Sequence, residues 1–142
     1  MVKVNQYKVS MKNISSLVGR ILLSIIFLKS SYGKITNFEK MTISMDNHNI
    51  PFSSFFLVCV IMLLIIGGIS VLTGFKPQLG AIALIIFLVP VTWIYHFDLE
   101  STKQMSQFYK NTAIIGGLLI MSTYGGGDYG MDGLLKRRKK IE

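Results

Sequence analysis

Nineteen consecutive residues, Phe55 to Thr73, carry no charge, and the centre of the run reads LVCVIMLLIIGGISVL. As a helix such a stretch is about 28 Å long, close to the roughly 30 Å of hydrocarbon in a bilayer. Three further apolar blocks lie at about Ile14–Gly33, Leu79–Tyr95 and Phe108–Tyr124, separated by polar punctuation. The third block is apolar apart from Thr92 and is interrupted by Pro90, which is expected to kink its helix. The fourth has the shortest strictly apolar part; Lys110 at its start can snorkel to the interface, and Gly125 to Gly127 end it. The pattern predicts an all-α integral membrane four-helix bundle with up-down connections.

Composition agrees with that pattern. Hydrophobic residues make up 51% of the 142 residues and charged residues 15%, against about a quarter charged in soluble domains. The net charge of +8 has an address on each side of the spans. Lys3, Lys8, Lys12, Arg20, Lys76 and the tail Lys136, Arg137, Arg138, Lys139 and Lys140 share one side; Lys34, Lys40, Lys103 and Lys110 share the other. Basic flanks resist translocation, so both termini are expected on the cytoplasmic side. The aromatic residues sit in spans and do not alternate with the basic patch, which argues against nucleic-acid binding. The expected organisation is a polar cytoplasmic leader over residues 1–13, a four-span domain over 14–127 and a basic cytoplasmic tail over 128–142. The first apolar block follows a polar leader without a small-residue cleavage site and is expected to stay as a span. The longest loop, Ile35 to Ser54, is rich in Asn, Asp and Ser and reads as irregular or partly interfacial.

Charged groups inside spans are costly and are the first place to look for function. Arg20 either snorkels to the cytoplasmic interface or contacts an anion, a quinone or an acidic partner. Lys29 lies nine residues on, roughly 180° around the helix, and cannot share a face with Arg20. Lys34, His96, Asp98, Lys110 and Asn111 are expected at one depth near the outer face, where an up-down bundle brings helix ends together. His96 suits proton transfer because its ordinary pKa lies near neutrality; the plainer reading is an interfacial histidine bonded to Asp98 or water. His48 reads as solvated and Cys59 as packing. One cysteine, two histidines and scattered methionines supply no metal cage, disulfide or CxxC pair. Gly67-Gly68 and Gly116-Gly117, each preceded by Ile-Ile, are expected to let helix backbones approach closely and form a faint internal repeat.

Arg20, Phe27 and the run Tyr32-Gly33-Lys34-Ile35-Thr36-Asn37-Phe38 precede Gly67-Gly68, Leu72-Thr73-Gly74 and His96. Gln107-Phe108-Tyr109-Lys110-Asn111, Gly116-Gly117-Leu118-Leu119, Gly125 and Asp132 follow. In this order the chain resembles the DoxX family of small bacterial membrane proteins over roughly residues 14–133. The resemblance implies a four-helix bundle of the bacterial inner membrane, with a role as subunit or accessory of a quinone-linked oxidoreductase or oxidative-stress system. It implies Arg20, Lys34, Lys110 and Asn111 as substrate-binding candidates, His96 as the proton-transfer candidate, and quinone as a ligand. Many members carry an acidic residue where this chain has Leu64, which leaves Arg20 without its obvious partner. No flavin, haem or CxxC motif is present, so electrons would come from a partner's cofactor. The residues leave open whether the chain is an enzyme. A noncatalytic anchor or assembly protein for a soluble partner, and a small-molecule or lipid transporter, are the alternatives; membrane lipids, a redox protein and a second copy are candidate partners. The terminal Lys139-Lys140-Ile141-Glu142 resembles a dilysine retrieval signal, a coincidence given the bacterial resemblance.

Overall fold

The computed structural model describes residues 2–96 and 101–139, with side chains at residues 11, 13–95 and 101–139. These residues form helices α1 (Val2–Thr36), α2 (Phe38–Asn47), α3 (Ser53–Thr73), α4 (Pro77–His96), α5 (Thr102–Tyr124) and α6 (Met131–Arg138). Among the described residues there is no strand. α1 runs without a break through the expected leader and past Gly33 to Thr36. α3 and α4 begin and end within two residues of the second and third apolar blocks, and α4 continues as a helix through Pro90.

The turn between α3 and α4 explains why the chain reverses there. Gly74 closes α3 in the left-handed region, at φ 71°, and donates its N–H to the Ser70 carbonyl at 3.0 Å. Pro77 opens α4 at a position where its missing N–H costs nothing. The stretch between α1 and α3 corrects the expectation of an irregular loop. Residues 38–47 form α2, with Met41, Ser44 and Met45 on one face and Glu39, Lys40 and Ile43 exposed. Its polar residues act at the ends. Asn37 donates to the Gly33 carbonyl at 3.0 Å, and the Ser53 hydroxyl lies within hydrogen-bond distance of both the Asp46 carboxylate and the Ile50 carbonyl. The Asn and Ser content that reads as a loop therefore joins helices.

α1 packs along α3, α3 along α4 and α4 along α5, whereas α1 and α5 barely touch. Directions follow from the bonded pairs. Gln78, early in α4, donates to the Thr123 carbonyl late in α5 at 3.2 Å, and Asn111, early in α5, donates to Thr92 late in α4 at 3.0 Å. The same opposition holds for α1 and α3, where Phe27 and Leu28 flank Gly68 and Arg20 lies against Gly74. The core gathers Phe27 from α1, Leu64 and Val71 from α3, Ala81, Leu84 and Leu88 from α4, and Ile114, Leu118 and Met121 from α5.

Much of the outer surface is apolar: Ile25, Ile66, Ile86, Trp93 and Ile120 all stand exposed. A surface of this kind suits lipid and not water. Three helical segments, Asn13–Thr36, Ser53–Thr73 and Pro77–Tyr95, are long and apolar enough to cross a membrane. α5 is not among them, because its first turns carry Lys103, Gln104, Gln107, Lys110 and Asn111.

The paired glycines behave unequally. A Cβ on Gly67 would stand 2.8 Å from Leu84 Cγ, and one on Gly68 would stand 3.1 Å from a Leu28 methyl. These two positions permit close helix contact. On α5 the expectation fails: a Cβ on Gly116 meets nothing within 4 Å, and one on Gly117 meets only Leu23, at an ordinary 3.5 Å.

Candidate functional site

The helix packing creates two different ends. At the first, α1 contributes Arg20, which is 1% exposed despite its charge. Its Nη2 donates to the Tyr129 carbonyl at 3.2 Å, while Nε and Nη1 are buried with no hydrogen-bond partner among the described residues. The guanidinium sits in a cage of glycine backbone. A Cβ on Gly126 would stand 2.9 Å from Nη1 and one on Gly130 2.6 Å from it, and one on Gly74 would overlap it outright. Arg20 is therefore sealed within the protein; the loop after α5 folds over it. Four contacts hold down that loop and the start of α6. Ser16 donates to the Gly126 carbonyl at 3.0 Å and Asn13 to the Asp128 carboxylate at 3.1 Å. The Asp132 carboxylate accepts the Lys76 N–H at 2.9 Å, and the Asp132 N–H donates to the Gly74 carbonyl at 3.2 Å.

At the opposite end a cavity of about 700 Å³ opens between α2, α3 and α4. Its walls are almost wholly apolar, with Met41 and Met45 from α2, Phe56 and Leu63 from α3, and Phe87 and Pro90 from α4. The few polar groups in its lining include Lys34, Ser44 and Tyr95. Lys34 donates to Ser30 at 3.2 Å and its ammonium stands 5.9 Å from the centre of the Phe87 ring. The Tyr95 hydroxyl is hydrogen-bonded to Ser44, and the Tyr95 ring lies against His48 with centroids 4.4 Å apart. Cys59 also reaches the wall as a free thiol.

The DoxX family model matches residues 15–97, which takes in most of α1 and all of α2, α3 and α4. The chain is also 30% identical over 128 residues to the inner membrane protein YqjF of Escherichia coli K12, an alignment covering 90% of this chain and 97% of that one. The chain belongs to the DoxX family. It is a multi-pass protein of the bacterial inner membrane. No solved structure matches it.

Within this DoxX-family chain the sequence candidates separate. Lys34 lines the cavity. Asn111 is buried and donates to Thr92, whose own hydroxyl donates to the Leu88 carbonyl at 2.7 Å, so it ties α5 to α4. Lys110 is exposed and donates to Gln107. Arg20 lies at the far end, beside Gly74. Lys34, Lys110 and Asn111, expected in one outer cluster, each bond a different partner. The His96 side chain and Asp98 lie outside the described residues. Lys29 is exposed while Arg20 is buried, as their opposite faces predict. Sequence reasoning missed Tyr95 and Ser44 at the cavity and His48 behind Tyr95. The recurrence of Met41, Ser44, Met45 and His48 at helical spacing was the available signal.

Proposed function

We propose that the chain is a four-helix membrane bundle with both termini cytoplasmic, and that it serves a quinone-linked oxidoreductase or oxidative-stress system as an accessory subunit holding quinone at the Lys34 end. Two features support α5 as the fourth span. It lies along α4 from Asn111 to Thr123, and it turns Leu119 and Ile120 outward beside the exposed apolar faces of the other helices. Four spans place the two termini on one side, and the excess of basic residues there makes that side cytoplasmic.

The observation that carries the ligand reading is the cavity beside Lys34. Its volume falls within the range of small-molecule sites, and its lining divides into a large apolar part and a few polar groups. That division suits an amphiphile with a hydrogen-bond-accepting ring and a hydrocarbon tail. The Lys34 ammonium and the Tyr95 hydroxyl can donate to ring oxygens, while Phe56, Leu63 and Phe87 exclude water from the tail. His96 follows Tyr95 in the chain and is the residue proposed to pass protons. Quinone supplies two-electron redox chemistry when bound, and the electrons come from a partner protein.

Photolabelling the purified protein with an azido-quinone tests this reading. Labelled peptides are expected within Phe56–Leu63 and Phe87–Tyr95, with labelling reduced by excess quinone and by Lys34→Leu or Tyr95→Phe. Labelling spread evenly over the apolar surface, unchanged by those substitutions, sinks the proposal. Quinol turnover by the assembled system with His96→Ala tests the proton role, which unchanged turnover removes.

A further inference from the structure

α1 and α5 touch only sparsely, and a groove of about 530 Å³ lies between them. Leu22, Leu23, Ile120 and Met121 form its apolar length, and Asn13 and Ser15 form one polar end. Gly19 and Gly117 give it width. A Cβ on Gly19 meets nothing within 4 Å, and one on Gly117 meets only Leu23. The polar end is also the basic end. Asn13 donates to Asp128 at 3.1 Å, and the same carboxylate oxygen pairs with Arg137 of α6 at 3.3 Å. α6 therefore stands at the mouth with Lys136, Arg137, Arg138 and Lys139 exposed, and with Leu134 and Leu135 exposed on the same short helix.

We propose that this groove holds one acyl chain of an anionic glycerophospholipid, with the headgroup phosphate against the basic residues of α6. The reading goes beyond the quinone cavity, which lies at the other end, and rests only on α5 crossing the membrane. Three observations converge on a lipid. An apolar channel open along a membrane-facing helix pair takes hydrocarbon, since water there finds few polar partners. The polar groups occur at one end alone, as a headgroup requires. The charge at that end is positive, which selects an anionic headgroup over a zwitterionic one, each basic residue near the surface contributing about fivefold. A free phosphate would have no use for the apolar length.

The test uses the full chain, purified in mild detergent and offered phosphatidylglycerol and phosphatidylethanolamine with identical acyl chains, with bound lipid counted by native mass spectrometry. The expected result is one retained phosphatidylglycerol, preferred at least about fivefold. Gly117→Leu, or Gly19→Leu on the facing helix should the first variant not fold, fills the groove and is expected to remove that lipid. Lys136→Glu with Lys139→Glu is expected to abolish the preference while leaving the groove. Equal retention of the two lipids by the unaltered protein overturns the proposal. So does a preference that survives both groove variants, because the lipid then sits on the tail alone. Impermeant maleimide labelling of Lys103→Cys and Lys139→Cys, each in a Cys59→Ser background, reports separately whether α5 crosses. Labelling from opposite sides is the expected result; labelling from one side only removes the premise and the proposal together.

Discussion

The two ends of the helical assembly are built on opposite principles. At the Arg20 end a charged side chain is sealed under backbone, with glycines at three positions where any side chain would strike the guanidinium. At the Lys34 end the charged group stands beside a chamber of about 700 Å³, covered by a short helix. Buried charge without a carboxylate is expensive, so Arg20 persists only because the surrounding loop is fixed around it. An open chamber has no such requirement, and its lining can vary in volume at small expense. The contrast argues for a stabilising role at the closed end, and the proposed ligand chemistry belongs to the open one.

The largest expected effect is therefore at Gly74. Alanine there must hold φ near 71°, and its Cβ would stand 2.6 Å from the Gly130 Cα as well as overlapping Arg20. The strained backbone alone costs about 1–2 kcal/mol, and the backbone contact cannot be relieved by a rotamer change. Gly74→Ala is expected to lose about 3 kcal/mol or more, read as failure to accumulate or a strongly lowered unfolding midpoint in detergent. A near-normal midpoint would mean the cage is loose and the two ends are alike.

Asp132 sets the next scale. Its carboxylate accepts the Lys76 N–H, and its N–H returns to Gly74, so one residue clamps α6 to the turn between α3 and α4. Asp132→Ala removes the side-chain half of that clamp at a partly exposed site. The expected loss is about 1 kcal/mol, concentrated in α6 and visible as faster amide exchange over residues 131–138 with α3 and α4 unchanged. Exchange that rises equally throughout would make the clamp a global element.

Much of this was legible in the sequence, and the failures have physical causes. Runs without charge located α3 and α4, and the helical angle separated Lys29 from Arg20 correctly. The closed end was hidden because Gly125 to Gly127 looks like a stop signal for α5, and nothing local tells that the loop folds back 109 residues to Arg20. The open end was hidden because Asn, Asp and Ser in residues 37–53 mark helix termini as readily as loops. The glycine pairs show the same limit. Ile-Ile-Gly-Gly occurs twice, yet only the α3 copy faces a neighbouring helix at close range. Gly116→Ala is accordingly expected to stabilise by about 0.5–1 kcal/mol through helix propensity alone, while Gly67→Ala, pressed on Leu84, destabilises. Equal signs for the two substitutions in a thermal unfolding series would restore the repeat as a packing motif.

The smallest effect on stability, and the sharpest test of the open end, is Cys59→Phe. Cys59 is an exposed thiol on the cavity wall, so a phenyl ring there enters space instead of displacing packed atoms. Overpacking penalties of about 1–3 kcal/mol belong to filled cores, and this position lacks the filled side. The unfolding midpoint is expected to move by less than the equivalent of about 0.5 kcal/mol, whereas azido-quinone labelling of Phe87–Tyr95 falls. A large loss of stability with labelling intact would reverse the comparison, making the Lys34 end a packed support and sending the search for the ligand elsewhere on the bundle.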